Sequence, residues 1–222
     1  MIDVVVGYDL REAVAYHTFC QSVISHTSRP VRFTPLVADT LRDTNTQRDG
    51  SNQFIYSRFL VPHLMGYKGW AIFADGDMVC KSDIAELWDM RDDQYAVQVV
   101  KHDYKTKHSK KYLGNKNQDY PRKNWSSLIL WNCAHPANRH LTPDAINGLD
   151  GSFLHRFNWL NDNEIGELPL TWNWLVMEYP ENDQAELLHY TIGTPCFEAY
   201  QDCDMADYWH KEWLKSQTGF GA

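Results

Sequence analysis

Ile2–Val6 is a short run, β-branched except at Asp3, that breaks at Gly7, the pattern of a buried first strand. From Arg11 to Ser25, Val14, Ala15, Thr18, Phe19, Ser22 and Val23 recur at helical spacing and predict a helix. Val31–Val37 predicts a second strand, and Gln53–Leu64 a second helix closed by Pro62 and Gly66. Trp70–Ala74 predicts a third strand that runs straight into Asp75 and Asp77, with apolar character resuming at Met78. Ser82 is placed to cap a short helix over Asp83–Leu87. Tyr95–Val100 and Leu128–Trp131 predict a fourth and a fifth strand.

This alternation argues an α/β fold with a mainly parallel sheet, close to the doubly wound nucleotide-binding plan. In such sheets ligands sit beyond the carboxyl ends of the strands, so "VVVGYD" and "AIFADGD" converge on one edge. The second half is more irregular. A helix starts in "HLTPDAI" with Pro143 at its first position, and Ala206–Lys215 predicts a last amphipathic helix. With no internal repeat and no linker, the expectation is one domain over residues 1–222.

Composition narrows the class. Hydrophobic residues at 43% and charged residues at 23% describe an ordinary globular protein, and the net charge of −8 argues against general nucleic-acid binding. The nine Trp and twelve Tyr suit a core and also stacking on sugars or bases. Five widely spaced cysteines form no CxxC pair, so the expectation is a reducing cytoplasm rather than a disulfide framework. No apolar run approaches membrane-spanning length, and "MIDVVVGYDL" lacks the basic start of a signal peptide. One segment departs from the acidic balance. Residues 101–123 hold seven lysines and one arginine against two aspartates, a net +6. That reads either as a solvated loop or as a mobile lid or acceptor-side patch that meets negative charge.

Asp75 and Asp77, one residue apart and flanked by apolar residues, face one side of an extended chain and repel unless a cation lies between them. Hard oxygen ligands of this kind suit Mg²⁺ or Mn²⁺, whose remaining positions go to diphosphate oxygens.

"FADGDMV", preceded by "FIYSRFLVPHL" and followed by "SDIAELW", resembles the metal-dependent GT-A glycosyltransferases, nearest the glycogenin and bacterial galactosyltransferase group. "WSSLILWN", "LPLTWNWL" and "LLHYTIGTP" continue the resemblance in order, from Val4 to about Pro195. It implies a GT-A fold, a Rossmann-like domain with a nucleotide-binding half (1–100) and an acceptor and donor-sugar half (101–222). It also implies that Asp75, Gly76 and Asp77 hold the metal and the donor's ribose and diphosphate, with His189 as third metal ligand. Gly7, Tyr8 and Asp9 close the first strand where the family binds the base. Tyr8 either stacks on uracil or packs on the neighbouring helix. Arg58 would hold a phosphate or orient Asp75, and Gly193 and Thr194 would offer backbone N–H groups to the diphosphate.

The chain also departs from the family. Trp125, Ser126 and Ser127 replace the Asn-(Ser/Ala)-Gly that meets the donor sugar, so Trp125 and Ser126 are the donor-site candidates there. Asp162 and Glu164 are the acids near the family's Asp-Gln pair, and serve either as a catalytic base or as helix caps. A lysine that normally follows the late His-x-x-Gly is missing, leaving Lys101, Lys123 or Arg122 to cover the diphosphate. The resemblance thus implies a hexosyltransferase-type enzyme that uses Mn²⁺ or Mg²⁺ and a UDP-linked donor. The acceptor stays open among glycan, protein, lipid and small molecule. A nucleotidyltransferase would favour a Gly-rich phosphate loop, and "GYDLREA" has one glycine. A non-enzymatic nucleotide- or carbohydrate-binding module would need no metal.

Overall fold

The computed structural model describes residues 1–41 and 54–217. In chain order it contains β1 (Ile2–Gly7), α1 (Ala13–His26), β2 (Val31–Leu36), α2 (Val61–Leu64), β3 (Trp70–Ala74), β4 (Met78–Cys80) and α3 (Ile84–Asp89). There follow β5 (Val97–Val99), β6 (Leu128–Asn132), α4 (Pro143–Gly148), α5 (Gly151–His155), β7 (Ile165–Glu167), β8 (Trp174–Leu175), β9 (Leu187–His189) and α6 (Ala206–Gln217). The six-stranded central sheet has the order β2-β1-β3-β6-β5-β7. Five of its strands run the same way and β6 runs against them. A second sheet, β4-β9-β8, lies beside it.

The central strands are apolar throughout because both of their faces are covered. Val4, Val6, Ile72 and Leu130 pack with Phe19 and Val23 of α1, whereas Val5, Phe73 and Trp131 pack with Phe54, Phe59 and Phe157 on the other face. Val79, Leu188 and Tyr190 of the smaller sheet's strands and flank pack with Trp209 of α6. No helix among the described residues is long and apolar enough to cross a membrane.

Several local expectations are corrected. The helix expected from Arg11 opens as a single 3₁₀ turn, Leu10–Glu12, before α1. Of the helix expected over Gln53–Leu64, the start at Gln53 lies outside the described residues. The rest is a 3₁₀ turn, Ser57–Leu60, followed by α2. Asp83, not Ser82, caps α3, because its carboxylate accepts from Ala85 N at 2.9 Å. Pro143 takes the first position of α4, as the sequence predicts, and Thr142 caps the helix.

The glycine between the two aspartates has a packing reason. A Cβ on Gly76 would lie 2.5 Å from the carbonyl oxygen of Gly7, and one on Gly7 would lie 2.4 Å from the Phe54 ring. The turn after β3 therefore crosses the end of β1 in direct backbone contact, which only glycine permits. Gly76→Ala is expected to cost about 1–3 kcal/mol, since a backbone oxygen cannot swing aside as a side chain can. Urea unfolding of the metal-free variant checks this, and a wild-type midpoint would show that the turn relaxes freely.

Candidate active site

β1 and β3 are parallel neighbours, so their carboxyl ends, Gly7 and Ala74, emerge together. Because β6 is antiparallel, its start lies at the same edge: Ala74 pairs with Leu128, and Asp75 N donates to Ser127 O at 2.9 Å. β4 then pairs with β9 so that Met78 faces His189, and Tyr190 N donates to Asp77 O at 2.9 Å. Two chain segments far apart in sequence, the turn between β3 and β4 and the end of β9, thus deliver Asp75, Asp77 and His189 to one point. One ligand atom from each lies within 4.8 Å of the others.

All three side chains are buried. His189 Nε2 lies 3.3 Å from Asp77 Oδ1, and its Nδ1 lies 3.0 Å from Asn173 Oδ1. Asn173 donates through Nδ2 to Ser127 Oγ at 2.9 Å, so its Oδ1 is the atom left to accept from His189 Nδ1–H. That turns Nε2, the nitrogen whose lone pair could hold a metal, toward the carboxylates. Arg58 Nη1 lies 2.8 Å from Asp75 Oδ1 and donates to Ser126 O at 2.9 Å. Its guanidinium sits against the Phe54 and Phe73 rings, 5.2 and 5.1 Å from their centroids. Asp75 Oδ1 and Asp77 Oδ1 are shut off from solvent and accept no aligned hydrogen bond. Two buried carboxylates with a single Arg58 guanidinium as cationic partner, gathered with an imidazole nitrogen, fit a divalent cation with mixed oxygen and nitrogen preference.

The charges shift accordingly. Burial pushes the Asp75 carboxyl up to about 6 against the pull of Arg58, and the Asp77 charge adds to the rise. Burial also pushes Asp77 upward, but His189, Lys111 and a backbone hydrogen bond together hold this carboxyl below its usual range.

These groups stand in a cavity of about 340 Å³, large enough to take part of a ligand. Arg58, Asp75, Asp77, Ser126 and His189 all line it. The other expected residues do not. Asp9 is buried, but its carboxylate accepts from Arg11 N at 3.0 Å and Nε at 2.9 Å and caps the turn into α1. Half-buried Tyr8 meets Tyr16 edge-on at 5.4 Å. Gly7 and Gly76 serve the backbone crossing already described. A Cβ on Gly193 would strike the Tyr200 ring, and Thr194 Oγ1 contacts Cys196 Sγ at 2.7 Å. Trp125 belongs to a separate cleft with Lys101, Arg122, Asp162 and Ile165. There Asp162 pairs with Arg122, while Glu164 accepts from Asn161 N at 2.8 Å in a capping box. The geometry of Asp162 and Glu164 is thus that of an ion pair and a cap, away from the cavity.

The sequence reading missed other wall residues. Ser126 Oγ meets His155 Nδ1 at 2.7 Å, and burial pushes this imidazole down to about 3, so it stays neutral. Only its distance from Ser126 in sequence hid it. The 101–123 segment also contributes to the cavity, through Lys111, Tyr112 and Tyr120. It is no free solvated loop. Lys107 N and Asn117 Nδ2 donate to buried Glu178, and Tyr112 N donates to Ile192 O.

Tyr112 also donates its hydroxyl to Glu12 Oε1 at 2.9 Å, while Glu12 Oε2 is buried without a hydrogen-bond partner among the described residues. Burial, and then the Asp77 charge, raise the Glu12 carboxyl from 4.5 to about 8. A raised carboxyl binds its proton more tightly in the folded state, so its share of stability is present at low pH and is lost as pH rises from about 4.5 to about 8. Glu12→Gln should therefore gain stability relative to wild type between pH 5 and pH 9 in the metal-free protein. Urea unfolding at both pH values checks this, and parallel profiles would show that Glu12 ionises normally.

Comparison with known proteins agrees with this geometry. Residues 8–147 match the model of the family described as glycosyl transferase family 8. The chain is 45% identical over 217 residues to Protein CDI of Arabidopsis thaliana, covering 93% of this chain and 84% of that protein. Among solved structures it superposes on the WbbM bifunctional glycosyltransferase with a TM-score of 0.70 at 17% identity, covering 97% of this chain and 50% of that one. The chain thus spans about half the length of WbbM. An active-site mutant of LgtC superposes with a TM-score of 0.62 at 11% identity, covering 98% of this chain and 97% of that chain. LgtC is also known as a galactosyltransferase in complex with donor and acceptor sugar analogues. At these identities the structural matches show the shared fold.

Proposed function

The chain belongs to glycosyl transferase family 8, and from that membership we propose that it moves a sugar from a UDP-linked donor to an acceptor hydroxyl with the help of Mn²⁺ or Mg²⁺. The observation that carries this reading is the convergence of Asp75, Asp77 and His189, all buried, at a cavity of about 340 Å³. These three residues would hold the metal, and a divalent ion held there would act as a Lewis acid that neutralises charge on a leaving nucleoside diphosphate.

The protein's own groups have separate tasks. Arg58 orients Asp75 and compensates its charge, and Asn173 keeps His189 Nε2 turned to the carboxylates. Ser126, His155 and Arg156 form a polar wall suited to donor-sugar hydroxyls. Tyr8 and Asp9, at the end of β1, are the residues proposed to meet the base, and Gly193 and Thr194 the diphosphate. The reading assigns no chemistry to Asp162 or Glu164. The halves 1–100 and 101–222 are proposed to divide nucleotide binding from sugar and acceptor binding, with Lys111 and Tyr112 crossing that division.

The test is incubation with Mn²⁺ and a panel of nucleotide sugars, following release of nucleoside diphosphate by slow hydrolysis. Release from a UDP-sugar is the expected result. Pyrophosphate formation from a nucleoside triphosphate and a sugar 1-phosphate would overturn it.

A further inference from the structure

Resting on the donor reading above, we propose that Lys111 binds the donor's diphosphate, as the cationic partner that faces the metal-binding carboxylates across the cavity. The basic residues expected from sequence to do this are spent elsewhere. Lys123 Nζ donates to Asn117 Oδ1 at 2.5 Å and to Gln118 O at 2.9 Å. Arg122 serves Asp162 and the carbonyl of Arg156. Lys101 lies 5.9 Å from the Trp125 ring centroid, in the separate cleft. Arg58 lines the cavity but is already paired with Asp75.

Lys111 differs on each count. It lines the same cavity as Asp75, Asp77 and His189. Its ammonium donates to Thr191 Oγ1 at 2.7 Å, two residues beyond His189, and among the described residues it forms no ion pair. An ammonium has three protons to place, and among the described residues Thr191 is the acceptor that takes one, at a half-buried position where desolvation already disfavours the charge. Its positive charge acts on both Asp75 and Asp77 without touching either. A diphosphate held by a metal on those carboxylates would present oxygens toward this ammonium, a pairing that supplies further acceptors.

The loop presents the residue rather than leaving it to wander. Lys110 bridges Lys116, and Lys111 N donates to Asn115 O at 2.8 Å, closing a small turn. Tyr112 fastens that turn to the cavity wall. It donates N–H to Ile192 O at 2.7 Å and stacks on Phe197 at 5.1 Å between centroids. The basic loop is therefore an arm that places one lysine at the site.

The experiment compares wild type, Lys111→Met and Lys111→Arg by calorimetry with three probes: Mn²⁺ alone, inorganic pyrophosphate with Mn²⁺, and UDP with Mn²⁺. Lys111→Met should weaken pyrophosphate and UDP by roughly ten- to a hundredfold, the scale of a charge-assisted hydrogen bond. Lys111→Arg should recover part of the loss. Mn²⁺ alone should bind Lys111→Met as tightly as wild type or tighter, because a repelling charge has gone. A collapsed site would instead weaken all three probes. Unchanged pyrophosphate affinity in Lys111→Met overturns the inference, as does weakening of Mn²⁺ alone in parallel with pyrophosphate. Should wild type bind pyrophosphate but not UDP, the UDP reading fails while the role of Lys111 stands.

Discussion

Asp77→Asn keeps its fold and loses metal binding by about a hundredfold or more, since even an outer partner of a ligand is worth about ten- to a hundredfold. The fold survives because Asn has the same shape and Asp77 Oδ1 accepts no hydrogen bond that must be replaced. Calorimetric titration of Mn²⁺ with UDP present reads the loss directly, apart from any turnover. His189→Ala should weaken Mn²⁺ more than Mg²⁺, because imidazole favours the softer ion. In wild type the metal must displace the Asp75 proton, and that carboxyl lies at about 6. Affinity should therefore fall as pH drops through that value. Wild-type Mn²⁺ affinity in both variants would mean that the two acids merely cap a turn.

Arg58→Ala is the second large effect, and it is one of stability. Arg58 is buried against Phe54 and Phe73 and is the positive partner of Asp75. Removing one member of a buried pair leaves the other uncompensated, at a cost of about 3–5 kcal/mol at neutral pH. Asp75 loses the contact that pulls its carboxyl downward, so it should hold a proton to higher pH and bind metal less well at pH 7. The double variant Arg58→Ala with Asp75→Asn should recover part of the lost stability, since the orphaned charge is gone. Urea unfolding of both variants supplies the coupling. Equal losses in the single and double variants would show that Arg58 acts through ring packing alone.

The strands that are buried on both faces follow from the order of residues alone, because a continuous apolar run such as Ile72–Ala74 has no amphipathic alternative. That order also pointed to the grouping of the site. Two acids one residue apart amid buried residues call for a positive partner, and a late histidine in an ordered set of motifs was legible, through the family resemblance, as the residue that meets them. Element ends were less legible: α3 is capped by Asp83 rather than Ser82, a choice set by which oxygen reaches Ala85 N. The direction of β6 was not legible at all, because an apolar strand reads the same in either direction. That reversal brings Ser126 and Ser127 to the edge where Asp75 lies, and there they hold Asn173 and Arg58, which touch His189 and Asp75 directly. Lys111 shows the same limit. Seven lysines in one basic loop are alike in sequence. Only the turn that pins Tyr112 to Ile192 singles out one of them, because a long-range contact is a property of two segments and is written in neither alone.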